Sequence, residues 1–428
     1  MNASRPSGVR LALRFPTTIV VGLPYLVLFL PMAIWDDNPG TDFIIRTAGV
    51  ALAGTFAVEA TVAAIAMAER RSGRARRADA GRGRGREAGR GLGLGGPSWH
   101  ADRVAVLARA VTVLSVVANL ALALLGGATL RSQVDGVLPS GVLTVLTPFV
   151  SWSFVALAMI IAARFLGGFT TVAALRWILV LVATQAVLAY ISNLTARATT
   201  FLVLALTLML LTRMVATRWI VITAALGAVV WPTVYAIRNV QREANGIVVS
   251  DDVSATDRLR FDEQIARAEQ FGAGHDLGQP DLWTSVRYGL VPRALDPGRP
   301  AISSGNLINE FLGGVPFSSY TFLPVATTWF FWGSLVLFLV YAGYAVIMMT
   351  LRPWQSIEQR PNALIVLALM IGGPLSWFAT PPDVAVVMLQ TLVSTSPVFV
   401  LLLVWAKRSP RSPSLTDVTP AVRELVRR

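Results

Sequence analysis

The sequence predicts an all-α polytopic membrane protein of about ten transmembrane helices with one large extracytoplasmic loop. Three observations carry that expectation. Of 428 residues, 54% are hydrophobic and only 14% charged, whereas soluble proteins carry about 25% charged residues. The mean hydropathy is +0.60. Apolar runs of about 20 residues recur along the chain, the length that ~30 Å of hydrocarbon requires of a helix.

The expected spans are roughly 17–34, 43–67, 104–130, 141–163, 174–192, 198–212, 219–237, 322–349, 362–380 and 384–405. The first has no small-residue cleavage site after it and runs almost at once into the second, so it reads as a retained helix rather than a signal peptide. The chain then divides into helices 1–2 (1–69), an Arg/Gly-rich cytoplasmic loop expected to be disordered (70–103) and helices 3–7 (104–237). The large outer loop (238–321), helices 8–10 (322–406) and a basic cytoplasmic tail (407–428) follow.

Charge sets the orientation. The chain holds 37 Lys+Arg against 24 Asp+Glu, a net +13, which in a soluble protein would point to nucleic acid. Here 25 of the basic residues fall in alternate short connections and the two ends, while the intervening short connections carry only Arg131 and Arg197. By the positive-inside rule both termini face the cytoplasm of a plasma (inner) membrane. Segment 238–321, with eight arginines and eleven acids, then lies outside. Three ionisable residues fall inside spans. Arg46 is near enough to the outer end to snorkel. Glu59 and Arg109, in neighbouring helices, are expected to form one buried ion pair rather than a proton relay.

Several segments invite readings that their context refuses. The stretch 70–96 contains Gly91-x-Gly93-x-x-Gly96, but without a preceding strand or βαβ unit this is no dinucleotide fingerprint. Its arginines suit anionic headgroups, and few aromatics interleave to stack on RNA bases. Asn193-Leu194-Thr195 matches a glycosylation sequon in a turn too close to the membrane to be used. The chain has no Cys and only His100 and His275, so disulfides, thiolate chemistry and a His-based metal site are not expected.

The outer loop carries the chemistry. Ser254 or Thr256 can cap a helix whose stripe of Leu259, Ile265, Ala268 and Phe271 should pack on the membrane helices. Gly272-Ala273-Gly274 should end it. Further on, Arg287-Tyr-Gly-Leu-Val-Pro292-Arg293-Ala-Leu-Asp296-Pro297-Gly-Arg299-Pro300 places three arginines among three prolines, which stiffen the chain. Arginine suits bidentate phosphate recognition, and stiffness lowers the ordering cost of binding. Arg197, Arg238 and Arg242 could converge on the same place. The opposing reading is that these arginines pair with the loop acids and touch headgroups.

The run Leu290-Val-Pro-Arg-Ala-Leu-Asp-Pro-Gly-Arg-Pro300, followed by a Gly-Asn stretch and a membrane helix, resembles the large periplasmic loop of the Wzy-type O-antigen and oligosaccharide repeat-unit polymerases. Ser192-Asn-Leu-Thr-Ala-Arg197 resembles that family's turn of small residues, Ser and Arg. Two departures stand out: Asp296 where an aromatic is common, and Thr327-Thr328 where many members carry Gly-Glu. The resemblance implies a GT-C-like membrane glycosyltransferase. It would move a glycan from a polyprenyl-diphosphate donor onto a sugar hydroxyl of the next lipid-linked repeat unit, with a flippase and a chain-length regulator as companions and no nucleic acid. An O-antigen ligase-like transferase, a lipid-linked sugar transporter and a non-catalytic scaffold are the alternatives.

On that reading Arg197, Arg293 and Arg299, then Arg287, bind the diphosphate, and Trp283 and Tyr288 offer sugar-stacking faces. Glu310 and His275 are the preferred general bases, ahead of Asp281 and Asp296, with Asp36-Asp37 in the first outer loop as a rival. No Asp-x-Asp pair occurs in the chain, and neither metal nor cofactor is expected.

Overall fold

A computed structural model describes residues 15–81, 99–125, 149–192, 195–244, 259–291, 303–314, 319–351, 360–377 and 379–407, with 143, 146, 295, 296 and 298 besides. Among these residues every element is helical, and the one β-bridge joins Trp99 to Lys407. The membrane helices are α1 (Pro16–Trp35), α2 (Thr41–Gly81), α3 (Ala101–Leu124), α4 (Trp152–Phe165), α5 (Thr171–Ser192), α6 (Thr195–Leu211) and α7 (Thr217–Ala244). The loop contributes α8 (Phe261–Arg267), α9 (Leu282–Leu290) and α10 (Ser304–Phe311), and the chain closes with α11 (Leu323–Leu351), α12 (Pro361–Gly372), α13 (Asp383–Ser394) and α14 (Ser396–Leu401).

Six helices are long and apolar enough to cross a membrane, or seven when α13 and the segment Ser396–Ala406, bent by 43°, count as one span. The remaining three expected spans are the shorter helices α4, α6 and α12. At 1.5 Å per residue the described helices α4 and α12 reach about 21 and 18 Å, and most of residues 141–148, with which the fourth expected span begins, lie outside the described residues. Both are central: eleven of the fourteen α4 residues are buried, as befits a helix apolar on every side. They stop at one level. Gly372, at the end of α12, lies so close to Phe154 and Leu204 that an added Cβ would come within 3.0 Å of the Phe154 ring. From there residues 373–377 and 379–382 run as irregular chain, which membrane depth tolerates where protein covers it. Pro374, Leu375, Ser376, Ala379, Pro381 and Pro382 are buried.

The pairing of α2 with α11 is the most intimate in the bundle. A Cβ on Gly54 would sit 2.4 Å from the Phe338 carbonyl oxygen, so only glycine lets the two backbones meet there. Gly333 (φ 75°, ψ −178°) breaks α11 into two arms, a conformation essentially confined to glycine.

Glu59 and Arg109 do not pair. Glu59 is fully buried and accepts from the backbone N–H groups of Thr17 (2.7 Å) and Thr18 (3.2 Å). It thus caps the first turn of α1, where N–H groups lack helical partners and the dipole favours negative charge. The geometry follows from length: α1 spans 20 residues, about 30 Å, and Glu59 lies about 27 Å down α2 from Thr41. Arg109 is exposed and stands 5.2 Å over the ring of Phe169 instead.

The arginine-rich stretch also departs from expectation, because α2 continues as helix to Gly81; its Ala and Arg residues are strong helix formers. On the same face the end of the last span closes against α3. The His100 N–H donates to the Ala406 carbonyl (2.8 Å), and Arg103 to that of Trp405 (2.6 Å).

Candidate functional site

The described part of the segment between α7 and α11 is fastened to the bundle at three places. The first is α8. Its helix begins at Phe261 rather than at a Ser254 or Thr256 cap, both of which lie outside the described residues. The expected stripe does face the membrane helices: Ile265 and Ala268 are wholly buried, Phe271 is half-buried, and Gly272 (φ 82°) ends the helix. At its start Asp262, fully buried, accepts from Asn38 Nδ2 (2.8 Å) and from Arg260 Nε (3.1 Å). Arg260 also reaches Asp36 (3.3 Å) and Glu263 (2.9 Å). Burial pushes the Asp262 carboxyl up, but the hydrogen bonds from Arg260 and Asn38 outweigh it and hold it below the usual carboxylate range. The hydrogen bond to Asp262 raises the Arg260 guanidinium. Asp36 therefore belongs to a clamp between loop and bundle, and Arg46 adds an exposed pair with Glu269 at 3.0 Å.

The second fastening is α9, which lies along α13. Gly289 touches Leu389, where a Cβ would fall 2.6 Å from the leucine Cβ, and Gln390 Nε2 donates to the Tyr288 carbonyl at 2.9 Å. Asp281 caps α9 by accepting from the Thr284 N–H (2.6 Å), which lowers its pKa. Arg287 pairs with Asp296 at 2.8 Å, and Trp283, 81% exposed, stands away from the protein.

The third is α10. The Asp383 carboxylate takes both the N–H (2.7 Å) and the hydroxyl (2.6 Å) of buried Ser304. This joins the first turn of α10 to the first residue of α13. Glu310 is exposed at the far end of α10 and makes no hydrogen bond or ion pair among the described residues. His275 is held as a packing residue. Its ring stacks on Phe330 (4.4 Å, 20°), Nε2 meets the Phe271 carbonyl at 2.8 Å, and its N–H donates to the Phe330 carbonyl at 3.1 Å, just before the bend of α11.

Arg197 sits apart from the loop, at the start of α6. Its Nε donates to Gln185 Oε1 of α5 at 3.1 Å, and its Nη2 donates to Asn119 Oδ1 of α3. Asn119 spends its amide N–H₂ on the carbonyls of Ser115 (2.8 Å) and Val150 (3.3 Å), so the carbonyl oxygen must face the arginine. Both amides are buried. Thus a guanidinium in an apolar bundle is oriented by two neutral groups, and no carboxylate meets it among the described residues. The sequence accounts for this, since residues 136–242 hold seven arginines and no acid. Among the described residues such a charge meets no counter-charge and keeps most of its N–H donors. The α6 dipole adds positive potential at the same point.

No protein-family model matches the chain, and neither the curated proteins nor the solved structures contain a match.

Of the expected site residues, the structure joins Arg287 to Asp296 and places Trp283 and Tyr288 on the same short helix. Arg197 keeps company with α3 and α5 instead. Arg293, Arg299, Asn193 and the glycines of the 91–96 run lie outside the described residues. Arg238 caps the ring of Tyr235 at 4.5 Å. No three His, Asp or Glu residues gather as a metal site would among the described residues. Sequence reasoning passed over Asn119, Gln185 and Asp383. The first two were visible as the lone amides of α3 and α5, and Asp383 as a lone acid at the mouth of the last span.

Proposed function

We propose that this protein is a membrane glycosyltransferase that polymerises polyprenyl-diphosphate-linked oligosaccharide repeat units, with Arg197 as an anchor for the donor diphosphate. One observation carries the reading: Arg197 is a half-buried, oriented guanidinium with neutral partners, at a helix N-terminus on the expected outer side. An anion is what such a group lacks. Departure of a lipid diphosphate leaves charge on the bridging oxygen, and one pre-oriented donor to a developing oxyanion contributes about 3–4 kcal/mol. Arg293 and Arg299, on the proline-rich loop, would complete the clamp once donor is bound. Glu310 is the base best suited to deprotonate the acceptor hydroxyl, because its carboxylate has no partner among the described residues; Asp281, Asp296 and Asp36 are each engaged elsewhere. A positioned base contributes roughly 10²–10⁴-fold.

The test separates binding from folding. Arg197→Met leaves the buried carbonyl oxygens of Asn119 and Gln185 without its N–H groups, so stability should fall by about 1–3 kcal/mol, while chain growth should fall at least about 10²-fold. Arg293→Ala and Arg299→Ala, inserted at normal level, should lose polymer as well. Full-length polymer from the Arg197→Met protein at the wild-type rate would remove the anchor from the mechanism.

A further inference from the structure

At the other end of α6, on the arginine-rich face, an apolar groove of about 380 Å³ opens between α5, α6 and α7. That volume is within the ~300–1,000 Å³ usual for small-molecule sites. Leu175, Leu206, Met209, Met214, Trp219 and Ile220 line it. Among the described residues almost none of the apolar stretch of α7 is covered by the rest of the chain, so the groove opens sideways toward the bilayer, not into the interior of the protein.

Its mouth is basic. The Arg218 guanidinium lies over the ring of Trp219, which is part of the wall, at 5.8 Å. Arg213 is exposed beside Met214, and Arg176 is exposed beside Leu175. The turn that places Arg213 is a helix-ending motif. Met214 N–H donates to the Met209 carbonyl (3.0 Å) and Arg213 N–H to that of Leu210 (3.1 Å). Arg213 there takes φ 56°, the left-handed position that glycine fills at no steric cost. The apolar contact that accompanies this motif, Met209 with Met214, is itself groove wall. The segment that forms the groove brings only positive charge, because no acid occurs between residues 136 and 242.

We infer that this groove is a binding site for an anionic phospholipid of the arginine-rich leaflet, one acyl chain lying between α6 and α7 and the phosphate resting on Arg213 and Arg218. Arginine suits a phosphate through its planar fork. The indole of Trp219 marks the depth at which chain gives way to headgroup. The site would join α7, otherwise weakly held, to the rest of the bundle. It is independent of the glycan chemistry proposed above, which takes place at the opposite end of α6.

Full-length protein in mixed phosphatidylglycerol/phosphatidylcholine nanodiscs, extracted into mild detergent and weighed by native mass spectrometry, tests the site. The wild type should retain one phosphatidylglycerol in preference to phosphatidylcholine. Each of Arg213→Gln and Arg218→Gln should weaken retention about fivefold, equivalent to roughly 1 kcal/mol per basic residue at an anionic surface. Met209→Trp should fill the groove and abolish retention with both arginines intact, whereas Leu179→Trp on the exposed face of α5 should have no effect. Equal retention of the two lipids, or loss of none by Met209→Trp, overturns the inference. So does stoichiometric displacement of phosphatidylglycerol by polyprenyl phosphate, which would make the groove a substrate site.

Discussion

Replacing Asp262 tests how the long segment between α7 and α11 is held. Its carboxylate is fully buried and joins Asn38 in the α1–α2 turn to Arg260 in the loop. In Asp262→Ala, Asn38 loses its acceptor and Arg260 loses its closest buried partner. Removing one member of a buried ionic pair costs about 3–5 kcal/mol. Arg260 is 26% exposed and keeps Asp36 and Glu263, so the lower end, about 3 kcal/mol, is the appropriate figure. That corresponds to roughly two orders of magnitude in the opening equilibrium. Amide hydrogen exchange over 261–271, measured in nanodiscs, should accelerate by about that factor, while exchange in α4 stays unchanged.

Asp262→Asn keeps the shape and loses the charge, and it should fall between the two. The pH dependence has a definite sign. The folded-state pKa of Asp262 is depressed, so its contribution is present above the unfolded carboxylate value of about 3.9. It is lost as pH falls through the lower folded value. Exchange over 261–271 should therefore be flat through neutrality and rise only in strong acid. Unchanged exchange in Asp262→Ala would refute the clamp.

Three further outcomes follow from the packing. Glu59→Gln leaves one oxygen to serve the Thr17 and Thr18 N–H groups and should lower the melting point by about 1–3 kcal/mol in stability; Arg109→Gln, by contrast, should cost less than about 1 kcal/mol. Gly333→Ala forces a side chain into a glycine-only conformation at about 1–3 kcal/mol, visible as a lower midpoint in thermal unfolding. Gly54→Val, whose first carbon alone would lie 2.4 Å from the Phe338 oxygen, should separate α2 from α11 and reduce the yield of folded protein on detergent size-exclusion chromatography.

The helical, multi-pass character was legible from composition and run length, because lipid leaves a chain few alternatives. Lengths were less legible. Apolar content records burial in lipid and burial in protein alike, so the hydropathy of 141–163 and 362–380 did not foretell that the described helices there, α4 and α12, are short and packed among other helices. The Glu59–Arg109 pairing failed for a related reason. Opposite charges at similar depth suggested a pair, yet the nearer partners of Glu59 were backbone N–H groups, which a list of side chains does not contain. At the site, Arg197 was legible as one of two cations in the short connections expected outside, while its holders, Asn119 and Gln185, are neutral and belong to helices far apart in the chain. The expected bases show the same limit: His275 is set into a ring cluster with Phe311 and Phe330 that only the folded loop assembles.

The central claim is chain growth at the expense of a lipid diphosphate. Purified protein incubated with a defined polyprenyl-diphosphate oligosaccharide should give products lengthened by whole repeat units, with one polyprenyl diphosphate released per bond formed. Movement of the lipid across a vesicle with no bond change, or transfer only to a foreign acceptor, would contradict it.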